Sequence, residues 1–150
     1  MTYQARPLPI ITDDNRRYWE CCKNHELRMQ KCSQCGYIRF PPGILCPACH
    51  SMDFEWVKTS GKGKIYSFVV YHVAFHPAFE QEIPYVVAII QLSEGPRMES
   101  NIIGCKPEEV KIDMPVEVFF EDVTEEIAVP KFKPALNLSG NNPGEDKVGL

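Results

Sequence analysis

The chain has 150 residues, 44% of them hydrophobic and 24% charged, with a formal net charge of −4. These are the proportions of a soluble globular protein with room for one ordinary domain, or a small one joined to a metal-clipped module. No apolar run approaches the length of a membrane span, and the first residues, Met1 to Arg6, lack the apolar core of a signal peptide, so a cytoplasmic location is expected. Seven cysteines in such a chain fit a reducing compartment and metal ligation better than bridges. The charge is unevenly spread. Residues 1–60 carry 8 Lys+Arg against 6 Asp+Glu, whereas residues 61–134 carry 7 against 12. An acidic second half is a poor partner for a phosphate backbone.

In chain order, residues 1–11 contain Pro7 and Pro9 and read as an extended arm. Thr12 is placed to cap a helix, with Asp13 and Asp14 in its first turn, where negative charge suits the helix dipole. From Asp13 to Gln30 there is neither Gly nor Pro, and Tyr18, Cys21, Cys22, His25 and Met29 recur at helical spacing. This predicts one amphipathic helix ending just before Cys32. Cys21 and Cys22 point in different directions on such a helix and read as small packing residues.

Cys32, Cys35, Cys46 and Cys49 follow with the spacing C-x2-C-x10-C-x2-C. A two-residue gap lets both sulfurs of a pair face one ion, and Gly36 supplies the positive φ that such a knuckle often needs. Two pairs complete a tetrahedral S4 site, the coordination zinc prefers in structural sites. Iron takes the same ligands. Buried thiols or two disulfides are the alternatives without a metal. Four thiolates leave no open position, so the site reads as a folding clip rather than a catalyst.

Beyond Phe54 to Lys58, which alternates apolar and polar as a half-buried strand does, Gly61-Lys62-Gly63 breaks the pattern. Five strands are then predicted: Ile65–Ala74, Tyr85–Leu92, Arg97–Ile103, Pro115–Glu121 and Ile127–Phe132, with one helical turn over Pro107–Lys111. Val116, Val118 and Phe120 share a face. Five strands with a turn between the third and fourth describe a small closed barrel of OB type, and are too few for an immunoglobulin-like sandwich. The expected fold is thus mostly β with an N-terminal helix. Residues 1–30 form the arm and helix, 31–60 a rubredoxin-like zinc ribbon, 61–134 the five-stranded OB-fold barrel, and 135–150 a flexible tail.

Several stretches stand in a familiar order. They are Tyr18-Trp19-Glu20, the cysteine ribbon with Phe40-Pro41-Pro42, Ser60-Gly61-Lys62-Gly63-Lys64-Ile65-Tyr66-Ser67, Ile83-Pro84-Tyr85-Val86-Val87-Ala88, Leu92-Ser93-Glu94-Gly95 and Pro130-Lys131-Phe132-Lys133-Pro134. Over roughly residues 12–134 the chain resembles the zinc-ribbon/OB-fold proteins called domain of unknown function 35, also described as acyl-CoA-associated. The resemblance implies a noncatalytic subunit of a thiolase-type acyl-CoA C-acyltransferase, with no turnover by the chain alone. It implies a structural zinc, a CoA thioester bound jointly with the partner, and a hetero-oligomer of two small and two large chains. The family's four ribbon cysteines match Cys32, Cys35, Cys46 and Cys49. His50 stands where relatives often carry Gly, which is expected to loosen the second knuckle.

Other residues are of types that can carry chemistry. Cys105 has no histidine near it in sequence and reads as packing. His72 reads as a satisfied barrel histidine. Phe75, His76 and Phe79 form a loop that either packs on the barrel's own surface or meets a partner or acyl chain. Gly61-Lys62-Gly63-Lys64 lacks the length and helix of a P-loop and reads as a hinge, although Lys62 and Lys64 suit the phosphates of CoA. Glu108-Glu109 and Glu125-Glu126 read as solvated. The alternative function is a single-stranded nucleic-acid binding module with Tyr66, Phe68, Tyr71 and Tyr85 as stacking faces, opposed by the acidic barrel and the lack of a basic cluster.

Overall fold

A computed structural model describes residues 7–135. Helix α1 spans Arg16–Lys23 and ends far short of the sequence expectation. The stop is a Schellman motif. The His25 N–H donates to the Cys22 carbonyl at 2.8 Å and the Glu26 N–H to the Cys21 carbonyl at 2.9 Å, while His25 takes a left-handed φ of 62°. Those two bonds satisfy carbonyls that a continued helix would have used. The start also differs. Thr12 and Asn15 bond each other reciprocally, so Asp13 and Asp14 precede the helix and its first turn holds no acid. Cys21 and Cys22 are buried packing residues, as expected.

The freed segment becomes β1 (Arg28–Cys32), which pairs antiparallel with β2 (Ile38–Arg39) on one side and β3 (Phe54–Lys58) on the other. This three-stranded sheet carries Cys32 at the end of β1 and the other three ribbon cysteines on its connections. The barrel closes in the order β4-β5-β6-β8-β7. Its strands are β4 (Lys62–Tyr71), β5 (Tyr85–Leu92), β6 (Arg97–Ile102), β7 (Pro115–Asp122) and β8 (Ala128–Pro134), with a single 3-10 turn at Pro107–Glu109 between the third and fourth. The mostly β, ribbon-plus-OB architecture is therefore the observed one. Strand β5 is a continuous apolar run in sequence, yet Val86, Ala88, Ile90 and Leu92 face the core while the residues between them do not.

The turn read as a pattern break is instead the start of β4. Gly61 has φ +75°, and a Cβ there would lie 2.6 Å from Val118 Cγ1. Its carbonyl accepts from the Val118 N–H at 2.7 Å. The glycine permits close approach of two backbones, and the flanking bonds oppose a hinge. On the other side, the Thr59 N–H and hydroxyl both donate to the Leu27 carbonyl. One core runs through the whole body, joining Tyr18, Cys22, Leu27 and Met29 to Ile65, Ile90, Val116 and Phe132 of the barrel. His25 stacks on Phe120, ring centroids 5.3 Å apart, and its Nε2 lies 2.9 Å from Asp122 Oδ1. The predicted tail falls almost wholly on residues outside those described.

Candidate metal centre

Each knuckle is built by the same backbone bonds. In the first, the Gly36 N–H donates to the Cys32 carbonyl at 2.9 Å and the Cys32 N–H to the Tyr37 carbonyl at 2.8 Å. In the second, the His50 N–H donates to the Cys46 carbonyl at 2.8 Å and the Cys46 N–H to the Ser51 carbonyl at 2.9 Å. Gly36 has φ 82° and His50 φ 66°. Histidine does not loosen the second turn; the chain holds it in the left-handed region that glycine would enter freely.

All four Sγ atoms lie within 4.8 Å of one another. Cys32–Cys49 and Cys35–Cys46 are the close pairs, each 3.6 Å apart. A tetrahedron with ~2.3 Å metal–sulfur bonds has edges of ~3.8 Å, so the quartet fits a zinc-sized ion. Backbone amides aim at the sulfurs. The N–H groups of Gln34 and Cys35 lie 3.4 and 3.5 Å from Cys32 Sγ, and that of Ala48 lies 3.4 Å from Cys46 Sγ. The Cys35 amide, against burial and with help from the Gln34 amide, pulls the Cys32 thiol down to about 6. Cys49 accepts from the Ser51 amide, yet desolvation and the three neighbouring thiols push it up to about 12. Amide dipoles thus favour thiolate at Cys32 and Cys46, and a cation is needed to hold thiolate at Cys35 and Cys49.

Behind the cysteines lies a tie that sequence reasoning missed. Arg39 and Gln30 are both buried. Arg39 Nε donates to Gln30 Oε1 at 2.9 Å, Arg39 Nη2 to the Gly43 carbonyl at 2.9 Å, and the Gly43 N–H to Gln30 Oε1 at 2.9 Å. The guanidinium also lies 5.1 Å from the Phe54 ring centre. Together these pin the Pro41-Pro42-Gly43 loop, which sets the distance between the knuckles. The only signal for this in sequence is that Arg39 and Gln30 fall on facing strands, which cannot be seen before the register is known.

The remaining candidates separate. Lys62 and Lys64 lie at the start of β4, and Phe75, His76 and Phe79 lie beyond its end, at the far end of the β4–β5 hairpin. His76 Nδ1 accepts from the Ala78 N–H and caps the 3-10 turn Pro77–Phe79. The Phe79 ring leans on Tyr85, whereas Phe75 is 80% exposed. His72 lies just past β4 and is exposed, so it is not a histidine of the barrel interior. Cys105 is half-buried against the core; burial, and then the Glu109 carboxylate, raise its thiol pKa, the reverse of what a nucleophile needs. The four stacking candidates form no shared platform. Tyr66 lies midway along β4, Tyr71 and Tyr85 stack on each other at its end, and Phe68 packs on the core.

Comparison with known proteins accords with this geometry. Residues 19–55 match the family described as ChsH2, rubredoxin-like zinc ribbon domain, and residues 56–121 that described as ChsH2, C-terminal OB-fold domain. The chain is 41% identical over 131 residues to a probable enoyl-CoA hydratase alpha subunit of Thermomonospora curvata, covering 87% of this chain and 40% of that protein. So it spans less than half the length of that relative. It is 46% identical over 97 residues to a DUF35 domain-containing scaffold protein of Methanocaldococcus jannaschii, covering 64% of this chain and 68% of the relative. Benzoylsuccinyl-CoA thiolase subunit BbsA of Thauera aromatica is 33% identical over 92 residues, 61% of each chain. Among solved structures, the Ltp2-ChsH2(DUF35) aldolase superposes with a TM-score of 0.79 at 40% identity, covering 86% of this chain and all of that one. With its four convergent cysteines on the ribbon and its five strands in one closed barrel, the chain belongs to the ChsH2-type DUF35 family of zinc-ribbon/OB-fold proteins.

Proposed function

We propose that the chain is a noncatalytic subunit of a thiolase-type acyl-CoA C-acyltransferase complex. In this reading it holds a structural zinc through Cys32, Cys35, Cys46 and Cys49, stabilises a catalytic partner and helps to enclose the CoA thioester. The observation that carries it is the close kinship with proteins named as subunits of CoA-thioester enzymes, on a fold whose S4 centre is closed to substrate. The partner is a thiolase or thiolase-like protein, in an assembly of two small and two large chains. The exposed Phe75 loop is the part of the barrel offered to that partner. Zinc supplies no reaction step here; it closes the ribbon. The test is co-expression with a thiolase-like protein encoded beside it. Stable co-purification, with acyl-CoA turnover by the complex and none by this chain alone, is expected. Turnover by the isolated chain, or no association with such a protein, would remove the reading. The nucleic-acid reading is not favoured: the acidic barrel and the separated aromatics argue against it.

A further inference from the structure

The register places three polar side chains in one row. Lys64 of β4 pairs with Gln91 of β5, and Gln91 pairs with Arg97 of β6. Cross-strand partners share a face, and neighbouring strands are ~4.8 Å apart, so the row spans roughly 10 Å of the outer barrel wall. A bulge falls beside it: the pairing shifts between Ile65 and Ser67, leaving Tyr66 as the extra residue. Bulges re-aim side chains, and this one puts the Tyr66 ring 3.8 Å from the Arg97 guanidinium carbon. Arg97 Nε also donates to Gln91 Oε1 at 2.7 Å. The guanidinium is therefore seated over a ring on one face and tied at its Nε edge to the Gln91 amide.

The row opens onto a cleft between the two halves of the body. A cavity of about 390 Å³ has Tyr37, Ile38 and Phe40 of the ribbon on one wall and Gln91, Pro96 and Arg97 on the other. A second, of about 550 Å³, shares Gln91 and Gly95 with it and is lined by Lys64 and Ser93. Both volumes are in the range of small-molecule sites. A planar guanidinium fork held in place suits a phosphate, and the aromatic wall facing it suits a flat base. Lys64 already lies 3.6 Å from Asp113, so the anion falls to Arg97.

We infer that this cleft binds the adenosine-phosphate end of a CoA-class ligand, with Arg97 as its phosphate-binding residue. The ligand's identity rests on the acyl-CoA reading above; the cleft itself rests on register and geometry. The test is calorimetric titration of the full metal-loaded chain with CoA, ADP and adenosine. CoA and ADP are expected to bind and adenosine to bind at least about tenfold more weakly, the size of one lost charge-assisted contact. Arg97→Ala is expected to lose at least about tenfold toward CoA with an unchanged melting temperature, since the residue is exposed. Tyr66→Leu keeps the charge but frees the guanidinium, and is expected to weaken CoA as well. CoA and ADP failing to bind, or binding both variants as tightly as the parent chain, would overturn the inference. Capture of the thiolase-like partner is scored separately. Arg97→Ala that keeps the partner and loses CoA supports the cleft, whereas CoA binding by a chain that captures no such partner upholds the cleft and removes the subunit reading.

Discussion

His50 occupies the left-handed turn of the second knuckle at φ 66°, where its counterpart in the first is glycine. A residue with a Cβ loses roughly 1 kcal/mol or more in that region. His50→Gly is therefore expected to raise stability by up to about 1 kcal/mol, less whatever glycine gains in unfolded-state entropy; thermal melts of the metal-loaded protein will show it. The cysteines carry a second residue-scale consequence. Without metal, Cys32 titrates near 6 and Cys49 near 12. At pH 7, metal entry must displace protons from both Cys49 and Cys35, whose thiol is also raised, while Cys32 is already largely thiolate. Protons compete with the ion, so affinity rises with pH, and it should fall more steeply below about pH 6, where Cys32 protonates too. Competition with a chromogenic chelator from pH 5 to 8 measures that slope; an affinity independent of pH would contradict it.

At the scale of elements, the helix and the ribbon differ in how far they could be read ahead. The knuckles were legible because ligand spacing and the glycine after the first pair are local facts. The end of α1 was not, since its Schellman stop uses His25 rather than the glycine or asparagine that signals one. Periodicity carried on past it because β1 contributes a buried apolar residue of its own, Met29. The Arg39–Gln30–Gly43 tie is likewise a product of pairing, as Gln30 and Arg39 are register partners. Arg39→Ala would strip two bonds from this tie and leave buried acceptors poorly satisfied. It is expected to cost about 2–3 kcal/mol and to hasten metal loss, since the inter-knuckle loop is no longer pinned. Unfolding in denaturant and the rate of zinc transfer to a chelator test both halves of that expectation.

Over the whole molecule, the ribbon and barrel share one apolar core through Leu27, Met29 and Cys22. Leu27 is almost fully buried, and Leu27→Ala is expected to cost about 2–5 kcal/mol. The same continuity predicts that a strong chelator lowers the melting temperature of the entire body in a single transition, rather than releasing a separate ribbon melt. Two resolved transitions by calorimetry would contradict it. By itself the sequence determined the metal quartet, the five strands of the barrel and the family, because ligand spacing, alternation and turn residues act over a few positions. Only the tertiary structure decided where α1 stops, how Arg39 comes to be buried, that Gly61 is a contact rather than a hinge, and that Lys64, Gln91 and Arg97 stand in one row. Each of these depends on pairing between distant segments, and a one-residue change in register would turn every such side chain to the opposite face.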